Sequence, residues 1–463
     1  MNMRNTRAAL VAGAIATAAL ARGAAANAPA SDFQRALGDY HAGQYDAARA
    51  QFLSLAELGN CSAQFNLAAM ALHGQGGAKD PGSGAGWLQA AAGNGCGELV
   101  GNHLAGLTAK LSAEEARTAA DIMARYGPEA LAAQGVVNPE FICHDMTQPS
   151  AVAATVAETP AAARGKRQPA MVITALTVGA DGRARDPEIL FALPDDPFAA
   201  AAVEAWLNSD FTPAQRAGSA VAARLQAKTL FADPAPLADA ELIRKARPAA
   251  EAGDAAAAYL VGLAAIHDSS VGISKAHAKE MLLGAARDGN ADAQYWVGSQ
   301  LRASAACHPR ANGAVWLRHA ADGGNAAAQL LLAEDMLAGA PGAPQTAQAR
   351  ALLAQAARAN NYYVRKHVVA LLATSPLDGV RDPPAALELA RALAAGAIRV
   401  DPQMYETVAA AYAANGDFKN AAAQQQLAVE TARRLHWDTR TMAQRLDEYR
   451  RGSAWRGNLL AAL

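Results

Sequence analysis

The sequence repeats itself at a step of about 35 residues, and few folds accommodate such a period. Glu251-Ala252-Gly253-Asp254 is followed by Arg287-Asp288-Gly289-Asn290, Asp322-Gly323-Gly324-Asn325 and Arg358-Ala359-Asn360-Asn361, at steps of 36, 35 and 36 residues. Small and apolar residues recur after three of these turns: Ala257, Val261 and Gly262; Ala293, Val297 and Gly298; Ala328, Leu332 and Ala333. Spacings of four and five put them on one helix face, where a second helix can approach closely. An alanine pair precedes each of the last three turns: Ala285-Ala286, Ala320-Ala321 and Ala356-Ala357. Gly and Asn between helices stop one and start the next. The pattern predicts helical hairpins that bury their apolar faces only by stacking, an α-solenoid.

Composition agrees with that fold. Apolar residues are 52% of the 463, but aromatic residues are only 5%, because alanine dominates. Such a core needs many closely packed helices. Lys and Arg number 41 against 42 Asp and Glu, so there is no basic surplus of the kind nucleic acid demands. A nucleic-acid partner is therefore not expected.

Residues 1–30 read as a secretory signal: Arg4 and Arg7, an apolar run from Ala8 to Leu20, then Ala26-Asn27-Ala28 and Ala28-Pro29-Ala30 as cleavage sites. The run is shorter than the roughly 20 residues of a spanning helix, so no stable membrane span is expected. Arg22 keeps an alternative open, an uncleaved inner-membrane anchor facing the periplasm. An even count of four cysteines in an exported chain is compatible with disulfides. Cys61 and Cys96 stand near the starts of equivalent helices and are the first pairing to expect. No Cys-x-x-Cys pair occurs, so zinc or thioredoxin-like chemistry has no support in the sequence, and no cofactor is expected.

Gly59-Asn60, Ala63-Gln64, Leu67-Ala68, Leu72, Gly74-Gln75-Gly76, Asp80, Trp87-Leu88 and Ala90-Ala91-Ala92 follow one another at the start of the chain. This passage resembles the Sel-one-like repeat, a relative of the tetratricopeptide repeat. Residues 241–361 resemble it more loosely: Trp316-Leu317 and the alanine pairs are present, but the Gly-x-Gly turn is replaced by Asp268-Ser269-Ser270 or Gly339-Ala340-Pro341. Val408, Ala409, Tyr412, Gly416, Asp417, Phe418, Ala421 and Ala428 resemble a tetratricopeptide repeat, and residues 436–456 suit a capping helix. Both resemblances imply protein–protein interaction.

The middle breaks the period. Residues 145–159 are low in complexity and read as a linker. Met171–Val178 is strand-like, Asp181-Gly182 is a hairpin turn, and Ile189–Phe191 continues as a second strand. Residues 197–208 read as an amphipathic helix and 221–230 as a third strand, giving the order β-β-α-β. Pro160, Ala163, Arg164, Val172, Val178, Asp181, Gly182, Ala202, Ala205, Phe211, Pro213, Ala214, Gly218 and Val221 resemble the TonB C-terminal domain over about 160–231. Two positions depart from that family: Ala170 stands where it has Gly, and Ser209 where it has an aromatic residue that Trp206 could replace in packing. The resemblance implies binding of an extended peptide at a sheet edge, here along Val221, Arg224, Gln226 and Lys228. The other reading is a structural insert whose edge the repeats cover. As a separate domain it could be deleted with the helical arms left folded.

Signals for chemistry are sparse. Cys143-His144 and Cys307-His308 are adjacent pairs, not helix-face ligand sets, and there is no His-Glu-x-x-His motif. Gly74–Lys79 lacks the end of a phosphate loop, and Asp195-Asp196 reads as a solvated loop. Trp296, Trp316 and Tyr362-Tyr363 read as packing between repeats. The organisation expected is a signal peptide (1–30), repeats (31–144), a linker (145–159), a small α+β domain (160–235), repeats (236–400) and a tetratricopeptide-like hairpin with its cap (401–463). The function expected is a non-enzymatic periplasmic scaffold for an unidentified protein or peptide. The alternative is an anchored relative of the TonB transducer in outer-membrane transport.

Overall fold

The computed structural model describes residues 32–101, 103–137, 139, 141, 145–160, 169–193, 198–229, 231, 240–304, 313–339 and 341–460. Residues 1–31, where the secretory signal is expected, and Cys143-His144, Asp195-Asp196, Leu230 and Cys307-His308 lie outside the described residues.

The chain opens with α1 (Asp32–His41), α2 (Tyr45–Ala56), α3 (Cys61–His73) and α4 (Pro81–Ala91), then short α5 (Gly97–Val100), α6 (His103–Thr108), α7 (Ala113–Tyr126) and α8 (Pro128–Ala133). The middle holds β1 (Ser150–Ala153), β2 (Met171–Val178), β3 (Ala184–Leu193), α9 (Phe198–Leu207), β4 (Asp210–Thr212), β5 (Ala214–Arg216), β6 (Ser219–Val221) and β7 (Ala223–Lys228). Among the described residues helices then follow: α10 (Glu241–Glu251), α11 (Ala255–His267), α12 (Lys275–Arg287), α13 (Ala291–Ser304), α14 (Ala314–Asp322), α15 (Ala326–Leu337), α16 (Ala343–Ala356) and α17 (Tyr362–Thr374). The last are α18 (Pro383–Ala394), α19 (Pro402–Ala414), α20 (Phe418–Arg434) and α21 (Arg440–Arg450). Met1–Met123 with Ala238–Ala293 form one compact unit, and Ala124–Leu237 with Gln294–Leu463 the other.

The repeat works through its caps. Asn60, Asp254, Asn290, Asn325 and Asn361 each stand just before a helix, and each side-chain oxygen accepts the backbone N–H three residues on, at 2.8–3.0 Å. That satisfies a donor the helix start leaves orphaned. The glycine ahead of four of these caps (Gly59, Gly253, Gly289, Gly324) has φ between 72° and 91°, the left-handed turn that ends the preceding helix. Gln64 and Gln329 occupy equivalent places, and their amides donate to Ala56 O and Ala321 O at 3.2 and 3.1 Å. In these two hairpins the second helix is thereby tied to the end of the first.

Close helix approach rests on glycine where alanine would not fit. A Cβ on Gly82 would lie 2.6 Å from Glu115 O, and one on Gly262 would lie 3.0 Å from Ala278 O. In the first unit a Cys61–Cys96 disulfide, with Cα atoms 5.6 Å apart, links the start of α3 to the turn after α4.

In the second unit β2 is the centre of an antiparallel sheet of order β3-β2-β7. It is buried nearly along its whole length. One face carries Leu176 and Leu225, which meet Val203 and Trp206 of α9 and Val429, Ala432 and Trp437. Trp206 packs on Phe211, with ring centroids 6.0 Å apart, and its indole N–H donates to Thr229 Oγ1 at 2.8 Å. On the other face, Glu188, Arg224 and Gln226 reach residues of α13 and α17.

Two expectations change here. Residues 145–159 are not a free linker. Met146 bridges Arg216, Thr147 N–H donates to Gln215 O at 3.0 Å, and β1 pairs with β4. Backbone pairing needs no sequence signature beyond an extended, uncharged stretch, which is why composition alone read it as a spacer. The expected 221–230 strand is two elements. Ala217 and Gly218 have φ of 48° and 80°, and the turn they form folds β6 back onto β5. Val221 thus pairs with Ala214, and only Ala223–Lys228 joins the main sheet.

Candidate functional site

β7 has β2 on one side and stands at the sheet's edge. Thr229 N–H donates to Val172 O at 2.9 Å. This fixes the alternation of the antiparallel ladder: Ala227, Leu225 and Ala223 bond β2, while Arg224 and Gln226 turn their backbone N–H and C=O outward. Three of the four expected peptide-docking residues, Arg224, Gln226 and Lys228, therefore share one register. Val221 does not belong to it.

Their side chains are engaged elsewhere. The Arg224 guanidinium pairs with Glu188 and lies 5.4 Å from the centroid of the Tyr363 ring. Gln226 donates to Gln300 at 3.3 Å. Both faces of the strand are thus packed, and the open element among the described residues is its backbone edge.

Beneath this edge lies a buried ionic cluster that the sequence reading did not single out. Ala175 pairs with Glu188 and Thr177 with Arg185, so Leu176 stands opposite two residues, Asp186 and Pro187. The bulge puts Asp186 at φ 52°, a conformation that Asp tolerates better than most side chains. Its N–H donates to Gln403 Oε1 at 3.0 Å. Its carboxylate accepts from Lys366 Nζ at 3.0 Å and His367 Nε2 at 2.9 Å. Lys366, fully buried, also donates to Asp401 Oδ2 at 2.9 Å, and Tyr362 OH donates to the same oxygen at 2.8 Å. His367 Nδ1 meets Glu334 at 3.0 Å, and Tyr295 OH donates to Glu188 Oε1 at 2.6 Å.

Burial would push the His367 pKa down, but Asp186 and Glu334 on its two nitrogens hold it up at about 9. Burial likewise acts against the Lys366 ammonium, yet Asp401 and Asp186 raise its pKa above the usual lysine value. Burial would raise the Asp186 carboxyl, and the cations of His367 and Lys366 overcome it and hold it far below the carboxylate range. Tyr295, Tyr362 and Tyr363 are pushed well up, first by burial and then by neighbouring carboxylates. Every charge in the cluster is met by an internal partner, which suits a structural clamp.

One signal for the cluster was present in the sequence. Lys366 and His367 interrupt the apolar run of α17, and Lys366 falls three and four residues from Tyr363 and Tyr362. A charged side chain on an apolar stripe needs a buried partner. The partners themselves, Asp186 and Asp401, are too distant in sequence to be read.

On the repeats, an open groove of about 760 Å³ is lined by Asp322, Gln329, Gln348, Gln355 and Arg358. Among the described residues no group of three His, Cys, Asp or Glu could hold a metal ion, and no helix is long and apolar enough to cross a membrane.

No protein-family model and no curated protein matches the chain. One similar solved structure is a protective antigen present in uropathogenic Escherichia coli strains and displaying an SLR fold. It is 15% identical, at a TM-score of 0.32 over 86% of this chain and 68% of that one. A likeness of that depth carries no argument, and the helical-repeat architecture rests on the chain's own capped hairpins.

Proposed function

We propose that this chain is a non-enzymatic, exported interaction scaffold. Its helical repeats present a surface to a partner protein, and β7 accepts an extended peptide as an added strand. The observation that carries the reading is the outward-turned backbone of Arg224 and Gln226 on a strand whose side chains are already fixed by Glu188 and Gln300. A rigid edge loses little ordering entropy on pairing, and main-chain bonds supply the affinity. The β-β-α-β order, with Asp181-Gly182 at the first turn and Phe211, Pro213 and Ala214 after the helix, supports kinship with the TonB C-terminal domain. A leader sequence and the Cys61–Cys96 disulfide support an oxidising compartment, the periplasm. The internally paired cluster and the absence of a catalytic motif support a role without chemistry.

Proline at Gln226 tests the strand. Gln226→Pro deletes an N–H that points away from β2, so the fold should survive while strand addition fails. Partners cross-linked to the mature chain in envelope extracts should be lost in this variant and kept in a variant of equal thermal stability substituted elsewhere. Equal capture by Gln226→Pro would overturn the peptide-edge reading.

A further inference from the structure

The groove on the repeats has a chemistry of its own. It lies between α14 and α16, equivalent helices of successive hairpins, with the start of α15 beside them, and its volume of about 760 Å³ is that of a ligand cleft. Ala321, Ala326, Ala351 and Leu352 supply its apolar part. Alanine walls let a main chain come close without shaping a pocket for a large side chain. The polar atoms are mixed in kind. Gln329 Nε2 is spent on Ala321 O at 3.1 Å and Gln355 Oε1 at 3.3 Å. That leaves Gln329 Oε1 as an acceptor and Gln355 Nε2 as a donor. Gln348, two helical turns before Gln355 on the same wall, offers both. Asp322 and Arg358 hold equivalent places in successive turns and carry opposite charges, and neither forms an ion pair among the described residues.

We propose that this groove holds a short, uncharged, extended peptide by its main chain. The proposal rests on the reading of the repeats as an interaction surface and is independent of strand addition at β7. A phosphate-rich ligand would set its charge against Asp322 and the glutamine oxygens, and a polycation would set its own against Arg358. A peptide meets both kinds of group, because each residue carries one N–H donor and one carbonyl acceptor. The groove lining is likewise balanced, one carboxylate against one guanidinium with amides between. From Gln348 to Gln355 a helix rises about 10 Å, which about three extended residues span. A hexapeptide therefore covers the amide wall and reaches the charged end.

Titration of the mature chain with an acetylated, amidated hexapeptide of alternating alanine and threonine tests this. Binding should be weak, with a dissociation constant on the order of a millimolar. The same peptide N-methylated at alternate residues keeps its side chains and loses donors, and it should bind about tenfold more weakly. Ala351 is exposed, so Ala351→Trp should fill the groove and abolish binding with the fold intact, as melting curves will show. Gln348→Ala, at another exposed position, should weaken binding about fivefold, and it decides the matter if the tryptophan variant is unstable. Gln226→Pro, which blocks the β7 edge, should leave binding unchanged, so a failure at the groove is told apart from a failure at β7. No binding at about 10 mM peptide, equal binding of the N-methylated peptide, or binding indifferent to both groove variants would overturn the proposal. Binding lost in Gln226→Pro alone would also overturn it, by assigning the peptide to β7.

Discussion

The protein is held together in two contrasting ways. In the helical stack, alanine and glycine bring helices close, and each cap is satisfied within three residues along the chain. Where the sheet meets α13, α17 and α19, the contacts are ionic and join residues far apart in sequence, such as Asp186 with Lys366 and His367. The first kind of contact tolerates variation, because one cap is one hydrogen bond. The second does not, because removing one ion strands the others in a medium that cannot solvate them. The α+β segment is accordingly expected to fold with its helices and not as a detachable module. Cutting out 160–231 would leave Lys366, His367 and Tyr295 without their sheet partners, so helical structure should be lost beyond the deleted residues.

The largest effect should come from the centre of the cluster. Lys366→Met removes the cation shared by Asp186 and Asp401 while keeping most of the side-chain volume. Breaking a buried pair in this way typically costs about 3–5 kcal/mol. Chemical denaturation of the whole chain measures it. A loss under about 1 kcal/mol would show that the cluster is solvated and would remove the contrast with the stack.

The same contrast explains what the sequence could show. The turns at Asp254, Asn290, Asn325 and Asn361 were legible because cap and glycine are local, and all four begin helices where expected. The β-β-α-β order was legible for the same reason, through the Asp181-Gly182 turn and the apolar alternation of β2. The bulge at Asp186 was not, since one extra residue in β3 is visible only against its partner strand. Nor was the pairing of 145–153 with 210–216, which depends on backbone groups that every residue possesses. At the candidate site, the register of Arg224 and Gln226 followed from alternation, while the departure of Val221 needed the positive φ of Ala217 and Gly218.

A pH series sharpens the comparison at intermediate size. The folded His367 pKa of about 9 lies above the 6.5 of a free imidazole. Its contribution is therefore complete below pH 6.5, fades as pH rises, and is gone above about 9. The change is on the order of 3 kcal/mol. Denaturation midpoints should fall between pH 6 and pH 10 in the wild type and stay nearly level in His367→Gln. Lys366, its own pKa raised, remains charged across that window. Parallel curves for the two proteins would mean that His367 is neutral in the fold.

The smallest effects belong to the caps, and they separate a purely local contact from one that also ties distant segments. Asn361→Ala removes the acceptor for Val364 N–H and should cost about 1 kcal/mol. Asn60 caps Ala63 in the same way, but its amide also donates to Arg287 O at 3.0 Å and Asp288 Oδ1 at 2.8 Å. Asn60→Ala should therefore cost about 2 kcal/mol, since a buried acceptor loses its donor as well. The two variants should also differ in acid. Burial lifts the Asp288 pKa to about 6, and the Asn60 amide holds it from rising further. A carboxyl with a raised folded pKa adds stability that is complete below its unfolded value of 3.8 and is lost as pH rises through 6. Without the amide that pKa climbs, so Asn60→Ala should recover part of its deficit between pH 7 and pH 5 while Asn361→Ala stays level. Equal costs and equal pH profiles would reduce Asn60 to one more local cap.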